Sequence, residues 1–407
     1  MNAISVAESV RWKGRDATQL ANGVVELITL TSGGHFASFR LVGEAGRSGE
    51  NVIWEPPWQT YDQVPGLSQE LLQSYGPPGV DKFMAGYTGH CLCLDYFGEP
   101  SPKQAAAGLG LHGEAPVAEW KLSKPAQPAK PHCQWNVTLP AAHLKFERQI
   151  RLGEGESVAY VQETVSNERE VDHACDWVQH ATFGPPFLQE GESTVTASAQ
   201  RGKTWPLEYE GGLLLEKDRE FDWPYAPRED GERAIDLRQP FATRGRGFVA
   251  TTLLDPRREM QYVVAANWKM RLAVGYCFRR QDFPWMTIWE ENRSRQSTPW
   301  NGRTQARGME FGTTPFPLGS EENFRRGALF DTPSWCVIPA GGEKTARYLM
   351  FLFAIPAAMQ SIRNVALEAD AIVLFDEQTR PSVSIPAHGG ASFLSKTGTG
   401  FPALKPL

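Results

Sequence analysis

Long apolar runs are missing from this chain. The most apolar stretch, Tyr348 to Met359, is too short to cross a bilayer and is broken by Pro356, so no membrane partner is expected. The N-terminus has no basic segment followed by an apolar run, which excludes a secretory signal there and leads us to expect a cytoplasmic protein. Charge of one sign is lacking too. The formal net charge is −6 with acidic and basic residues interspersed, and no Arg/Lys stripe offers a footprint for nucleic acid. Cysteine is sparse: six residues, at 91, 93, 133, 175, 277 and 336. Without an export signal these are expected to be reduced and buried. Cys91 and Cys93 share a strand face but have no second close pair, so no metal is assigned to them. Repeats, low-complexity tracts and charge blocks are absent.

Helical periodicity is also scarce. The best candidate is Ser68 to Tyr75, with a serine at a plausible cap, between Pro65-Gly66 and Gly76-Pro77-Pro78. What the chain does have is material for a large β core: 41% apolar and 11% aromatic residues, with 38 Gly and 30 Pro supplying frequent turn signals. Residues alternate with period two at Cys133, Trp135, Val137 and Leu139, and again at Leu272, Val274, Tyr276 and Phe278; Val158, Tyr160 and Gln162 begin a similar run. An opening hairpin is read around Thr31-Ser32-Gly33-Gly34. Further strands are expected at 117–123, 144–152, 193–199, 248–254, 259–266, 335–339, 346–354, 371–375 and 382–385. Segments 201–247 and 292–333 alternate poorly and are rich in Pro, Gly and Arg, so they read as excursions at the rim of a sheet. They carry Trp205, Trp223, Phe241, Trp300, Phe311 and Phe316, which suits the wall of a cleft. The expected fold is all-β and antiparallel, a single domain over 1–407.

Three short segments place a titratable side chain beside a glycine in stretches that read as strand. They are Gly-Leu-His-Gly-Glu at 110–114, Gln-His-Ala-Thr-Phe-Gly-Pro-Pro-Phe at 179–187, and Arg-Gly-Met-Glu-Phe-Gly at 307–312. Their titratable members are His112, His180 and Glu310. Two imidazoles and a carboxylate can exchange protons near neutral pH, as chemistry at a sugar's anomeric centre requires. Each has a structural alternative: a histidine bonded to a backbone carbonyl, or Glu310 paired with Arg307 or Arg303. Glu290 and Glu291 compete for the role of base.

The order of these segments, with the Gly-Gly hairpin and Ile-Pro-Ala-Gly-Gly-Glu-Lys at 338–344, resembles the aldose 1-epimerase (galactose mutarotase-like) superfamily over roughly residues 20 to 390. Where galactose mutarotases have Asn-His-X-Tyr-Phe-Asn-Leu, this chain has Gln179-His180-Ala181-Thr182-Phe183-Gly184-Pro185, which resembles a divergent branch. The resemblance implies a β-supersandwich whose two large sheets enclose a sugar-sized cleft. It implies that the chain interconverts the anomers of an aldose or a modified aldose by ring opening and closure, with Glu310 as base, His180 as acid and His112 as a hydrogen-bond partner. No cofactor or metal is required. Lys82 is the candidate for the family's early arginine, and Trp289 or Trp300 for stacking on the sugar. Arg293, Arg295, Arg303 and Arg307 share a segment with Glu310 and suggest an anionic sugar. Two other classes remain open: a glycoside hydrolase or lyase using Glu310 with Glu290, and a non-catalytic carbohydrate-binding protein. Oligomeric state is not legible.

Overall fold

The computed structural model describes residues 6–43, 49–62, 67–124, 132–377 and 380–396. Pro65 and Gly66, named above as a turn, lie outside the described residues. Among the described residues the architecture is two large antiparallel sheets packed face to face. The larger has twelve strands. Its spatial order runs Val6–Trp12, Arg15–Ala21, Val25–Leu30, Phe36–Leu41, His90–Asp95, His173–Phe183, Gln305–Gly312, Trp285–Asn292, Arg246–Leu254, Ala199–Thr204 and Glu220–Asp222, with Cys336–Ile338 also pairing to His173–Phe183. The smaller has eight: Ser193–Ala197, Met260–Asn267, Leu272–Arg279, Glu343–Ala354, Val158–Asn167, Leu144–Leu152, His132–Leu139 and Lys121–Lys124. A three-stranded sheet, Asn364–Leu367, Ala371–Glu377 and Arg380–Pro386, covers the smaller sheet's far face together with the helix Gly390–Ser395.

Where one face of a strand stays wet, alternation shows in the sequence. Leu144–Leu152 buries Leu144, Phe146, Arg148, Ile150 and Leu152 and leaves the odd-numbered residues between them more exposed. Trp285–Asn292 is buried along its whole length because both faces are covered, so it carries no period-two signal and escaped the sequence reading. Two N-terminal strands, Val6–Trp12 and Arg15–Ala21, escaped as well. The segment expected as a strand at 117–123 is instead a short 3₁₀ turn, Ala115–Val117, followed by Lys121–Lys124. The helix is present as Gln69–Gln73, with the Ser68 side chain accepting from the Leu71 amide at 3.1 Å.

The two excursions differ from expectation. Segment 201–247 does supply edge strands and a small hairpin, but 292–333 contains Gln305–Gly312, a central strand of the larger sheet.

Between the sheets lies an aromatic core in which Phe278 and Phe311 stack at 4.3 Å between ring centres. Several buried polar groups there are paired. Glu163 accepts from Arg148 Nε at 2.7 Å and from Gln179 Nε2 at 2.6 Å, and the His90 ring contacts Gln179 Oε1 at 3.0 Å and the Tyr276 hydroxyl at 3.1 Å. Side chains fill this space, so the cleft expected between the two sheets is not there. It opens on the outer face of the larger sheet, under the loops and helices that cover that face.

Candidate acid–base cleft

The alternation of the strand His173–Phe183 sorts its side chains. Trp177 and Ala181 enter the sandwich core, whereas Val178, His180 and Thr182 face outward. In the antiparallel register His180 lies directly opposite Glu310 on one side and Cys91 on the other. Cross-strand partners share a face, so two segments 130 residues apart deliver an imidazole and a carboxylate to the same spot. His180 Nε2 lies 3.2 Å from Glu310 Oε1. That oxygen is shut off from solvent and makes no well-aligned hydrogen bond, the approach of His180 included.

The neighbouring Gly308 makes room for it. A Cβ on Gly308 would sit 2.1 Å from Glu310 Oε1, which gives the Gly-X-Glu motif a steric meaning: the carboxylate folds back over a position without a side chain.

His112 does not arrive on a strand, as its segment had suggested. It sits in a turn with φ +67°, a left-handed conformation that few non-glycine residues adopt. The next residue, Gly113, has φ +87°, and a Cβ there would meet the Leu94 carbonyl at 2.1 Å. The turn is pinned reciprocally: the His112 amide donates to the Gly98 carbonyl at 2.9 Å, and the Gly98 amide donates to His112 Nδ1 at 3.1 Å. The ring stacks on Phe97 at 5.3 Å and meets Phe83 edge-on at 5.0 Å, and its centre is 5.4 Å from that of His180. All three titratable groups therefore share one cleft.

Two hydroxyls unannounced by the sequence complete the His180 environment. Tyr87 and Thr182 are both buried, 2.6 Å apart, and stand 3.2 and 3.0 Å respectively from His180 Nδ1. Asp176, on the same strand, accepts from the Phe97 amide at 3.1 Å and from Asn323 Nδ2 at 2.9 Å, which fixes the segment carrying Gly98. Tyr87 has no local sequence signal. It is the fold that carries it to the motif.

Electrostatics follow from burial. Desolvation pushes the Glu310 carboxyl well above the usual carboxylate range and lowers His180 to about 3. His112 is lowered by the same desolvation and by the neighbouring His180. Burial thus favours a protonated, uncharged Glu310 beside neutral imidazoles, and an imidazolium acid at His180 works against that tendency.

The walls are aromatic. Phe83, Tyr87, Phe97, Trp205, Tyr209, Trp289 and Trp300 surround a cavity of about 400 Å³, within the size range of small-molecule sites. Trp289 lines it, its ring centre 5.9 Å from that of His180 and its Nε1 donating to the Tyr209 hydroxyl at 2.9 Å.

Lys82 does not line the cleft. It is an exposed residue of the helix Asp81–Gly86, whose neighbours Phe83 and Met84 do. Arg307 is not there either, because odd-numbered residues of its strand enter the sandwich. Its Nε donates to Glu290 Oε2 at 2.9 Å, a buried pair on the core side that removes both residues from the site. Glu291 binds Ser294 and Tyr209. Of the four arginines that had suggested an anionic ligand only Arg295 faces the cavity. Its guanidinium lies 4.8 and 4.9 Å from the Tyr209 and Trp300 rings and its Nε 3.6 Å from Glu291. Among the described residues no three His, Cys, Asp or Glu side chains form a group suited to a metal ion, and no helix is long and apolar enough to cross a membrane.

A two-sheet antiparallel sandwich is the class of fold, and its larger sheet carries the His–Glu pair on its outer face. No family model matches the sequence, and no curated protein matches it significantly. Solved structures do match in fold. One is a galactose mutarotase-like protein from Clostridium acetobutylicum, with TM-score 0.55 and 12% identity over 87% of this chain and 100% of that one. Another is a proposed aldose 1-epimerase from Klebsiella pneumoniae, with TM-score 0.55 and 13% identity over 86% and 82%. A third is a TPR-domain containing protein from Parabacteroides distasonis, with TM-score 0.51 and 10% identity, where this chain's 87% corresponds to 49% of that chain. The fold is therefore the galactose mutarotase-like β-sandwich, and this chain is a divergent example of it.

Proposed function

We propose that the chain is a sugar isomerase that interconverts the anomers of an aldose. The observation that carries this reading is the buried His180–Glu310 pair at 3.2 Å, facing an aromatic cavity of sugar-accommodating size with His112 beside it. Ring opening moves a proton from the C1 hydroxyl to the ring oxygen while the C1 to ring-oxygen bond breaks, and closure on the other face of C1 reverses it. The catalyst must return to its starting protonation state after each turnover, which a carboxyl whose proton affinity is raised by burial and that stands beside two imidazoles allows. The solved relatives described as mutarotase-like share the fold and lend this reading support, though their low identity carries no activity across.

Hydrolysis by two carboxylates is less well supported. Glu290 points to the opposite side of the sheet and is held by Arg307, and Glu291 is held by Ser294, Tyr209 and Arg295.

The preferred sugar is uncharged. The cavity's arginine already has a carboxylate partner, and two exposed carboxylates, Glu99 and Glu210, stand among the lining residues and repel an anion, while Glu208 there pairs with Lys217. Exchange NMR on a panel of aldoses and their phosphates tests both points. Neutral aldoses are expected to anomerise faster than their phosphates. Glu310→Gln is expected to lose about 10²–10⁴-fold in rate with the fold intact. Full activity of Glu310→Gln, or a protein that binds aldoses without accelerating their anomerisation, would overturn the reading.

A further inference from the structure

Which ring nitrogen carries the proton in each cleft histidine can be read from what faces Nδ1. For His112 that partner is the Gly98 amide at 3.1 Å, a group that can only donate. Nδ1 must therefore accept, and the proton sits on Nε2. For His180 the partners are two hydroxyls, Tyr87 and Thr182, which form a closed triangle with Nδ1 at 2.6, 3.0 and 3.2 Å. Both hydroxyls are buried and have no other recorded partner among the described residues. If Nδ1 is bare, Tyr87 donates to Thr182 Oγ1 and Thr182 donates to Nδ1, and every hydrogen is placed. If Nδ1 carries a proton, only one of the two hydroxyl hydrogens has an oxygen to reach and the other is stranded, at a cost of about 1–3 kcal/mol.

We infer that the Tyr87–Thr182 pair and the Gly98 amide hold both cleft histidines as Nε2–H tautomers, so that both are hydrogen-bond donors and Glu310 alone carries the transferred proton. The inference rests on the anomerisation reading for its chemistry but not for its geometry. The step balances on one carboxyl group. With Oε1 turned to His180, the exchange runs through Oε2: its O–H protonates the ring oxygen as the C1 to ring-oxygen bond breaks, and the same oxygen takes the C1 hydroxyl proton as the C1 carbonyl forms. The carboxyl ends protonated as it began, ready for reclosure, and both imidazoles are unchanged. Tyr87 and Thr182 are positioning residues in this scheme. They act through His180.

Long-range ¹H–¹⁵N correlation spectra of the labelled protein at neutral pH test this, with His180→Gln and His112→Gln assigning the signals. Both histidines are expected to show a pyrrole-type Nε2 and a hydrogen-bonded pyridine-type Nδ1. A doubly protonated ring, or a proton on Nδ1 of either, would overturn the inference. In Thr182→Val/Tyr87→Phe the His180 Nδ1 signal is expected to move to the position of an unbonded nitrogen while that of His112 stays. The isosteric Thr182→Val alone gives an intermediate shift, and no shift in either variant would remove Tyr87 and Thr182 from the account. On an aldose substrate His180→Gln, which donates but cannot shuttle a proton, is expected to keep at least about tenfold more rate than His180→Ala, given that one lost donor costs roughly 10²–10³-fold. Equal loss in both would return the proton-transfer role to His180. The nitrogen pattern does not depend on turnover, so a failure of the activity reading would show separately.

Discussion

Glu310 sits where a carboxylate is least comfortable, and that discomfort is measurable as a pH dependence of stability. Unfolded, its carboxyl ionises near its ordinary value of 4.5; folded, burial raises that value. Between the two the folded chain holds a proton that the unfolded chain has released, so stability is fully present at low pH and is lost as pH rises through the window. His180 has the opposite sign. Its folded value of about 3 lies below the ordinary 6.5, so its contribution is present above 6.5 and lost as pH falls towards 3. Replacing Glu310 by Gln removes the first dependence only. Thermal melts of Glu310→Gln and wild type should coincide near pH 4 and diverge upward from there, with the variant the more stable at pH 7 to 8. Parallel curves would mean that the carboxyl is not desolvated. His112, His180 and Glu310 were legible in the sequence because each lies within four residues of a glycine in a short motif. Tyr87 and Thr182 were not, since their role depends on a distance across strands that no local pattern encodes.

At the scale of the strand, alternation decides which residues meet. Arg307 and Glu310 are three apart on Gln305–Gly312 and therefore point to opposite faces, and this parity overturns the expectation that Arg307 touches substrate. Arg307→Ala leaves Glu290 buried without its partner and is expected to cost about 3–5 kcal/mol in urea unfolding while KM stays within twofold of wild type, about 0.4 kcal/mol. An unchanged stability with a raised KM would put Arg307 back at the cleft. Gly308 shares parity with Glu310. A methyl there displaces the carboxyl, and since a shift of about 1 Å costs on the order of a hundredfold in rate, Gly308→Ala is expected to lose about that much activity. If the variant retains wild-type rate, the folded-back carboxyl conformation is not the working one. Element existence was readable at Leu144–Leu152, where one face stays wetter, though not at the equally half-wet Arg15–Ala21. It failed for Trp285–Asn292, whose eight residues are all buried and give the alternation nothing to record.

At the scale of the molecule, the larger sheet takes strands from Val6 to Ile338 and the smaller from Lys121 to Ala354, so neither can be cut from the chain as a continuous segment. Polar groups stitch them across the core: Arg148 of the smaller sheet donates to the Gly34 carbonyl at 2.6 Å, and Glu163 binds Gln179 of the strand that carries His180. We propose on these grounds that the whole chain is one cooperative unit, as its continuous strand patterning also suggests. Removing the Glu163 charge would leave Arg148 without its carboxylate partner and Gln179 without its acceptor, and the loss should be felt in both sheets at once because Trp135 of the smaller sheet and Trp177 of the larger lie in the same core. In urea, tryptophan fluorescence and far-ultraviolet circular dichroism should then give one coincident midpoint for the wild type. Both probes should shift together in Glu163→Ala, by about 3–5 kcal/mol. Separate midpoints, or a Glu163→Ala shift seen by one probe only, would mean that the two sheets unfold independently and that the cleft is carried by the larger alone.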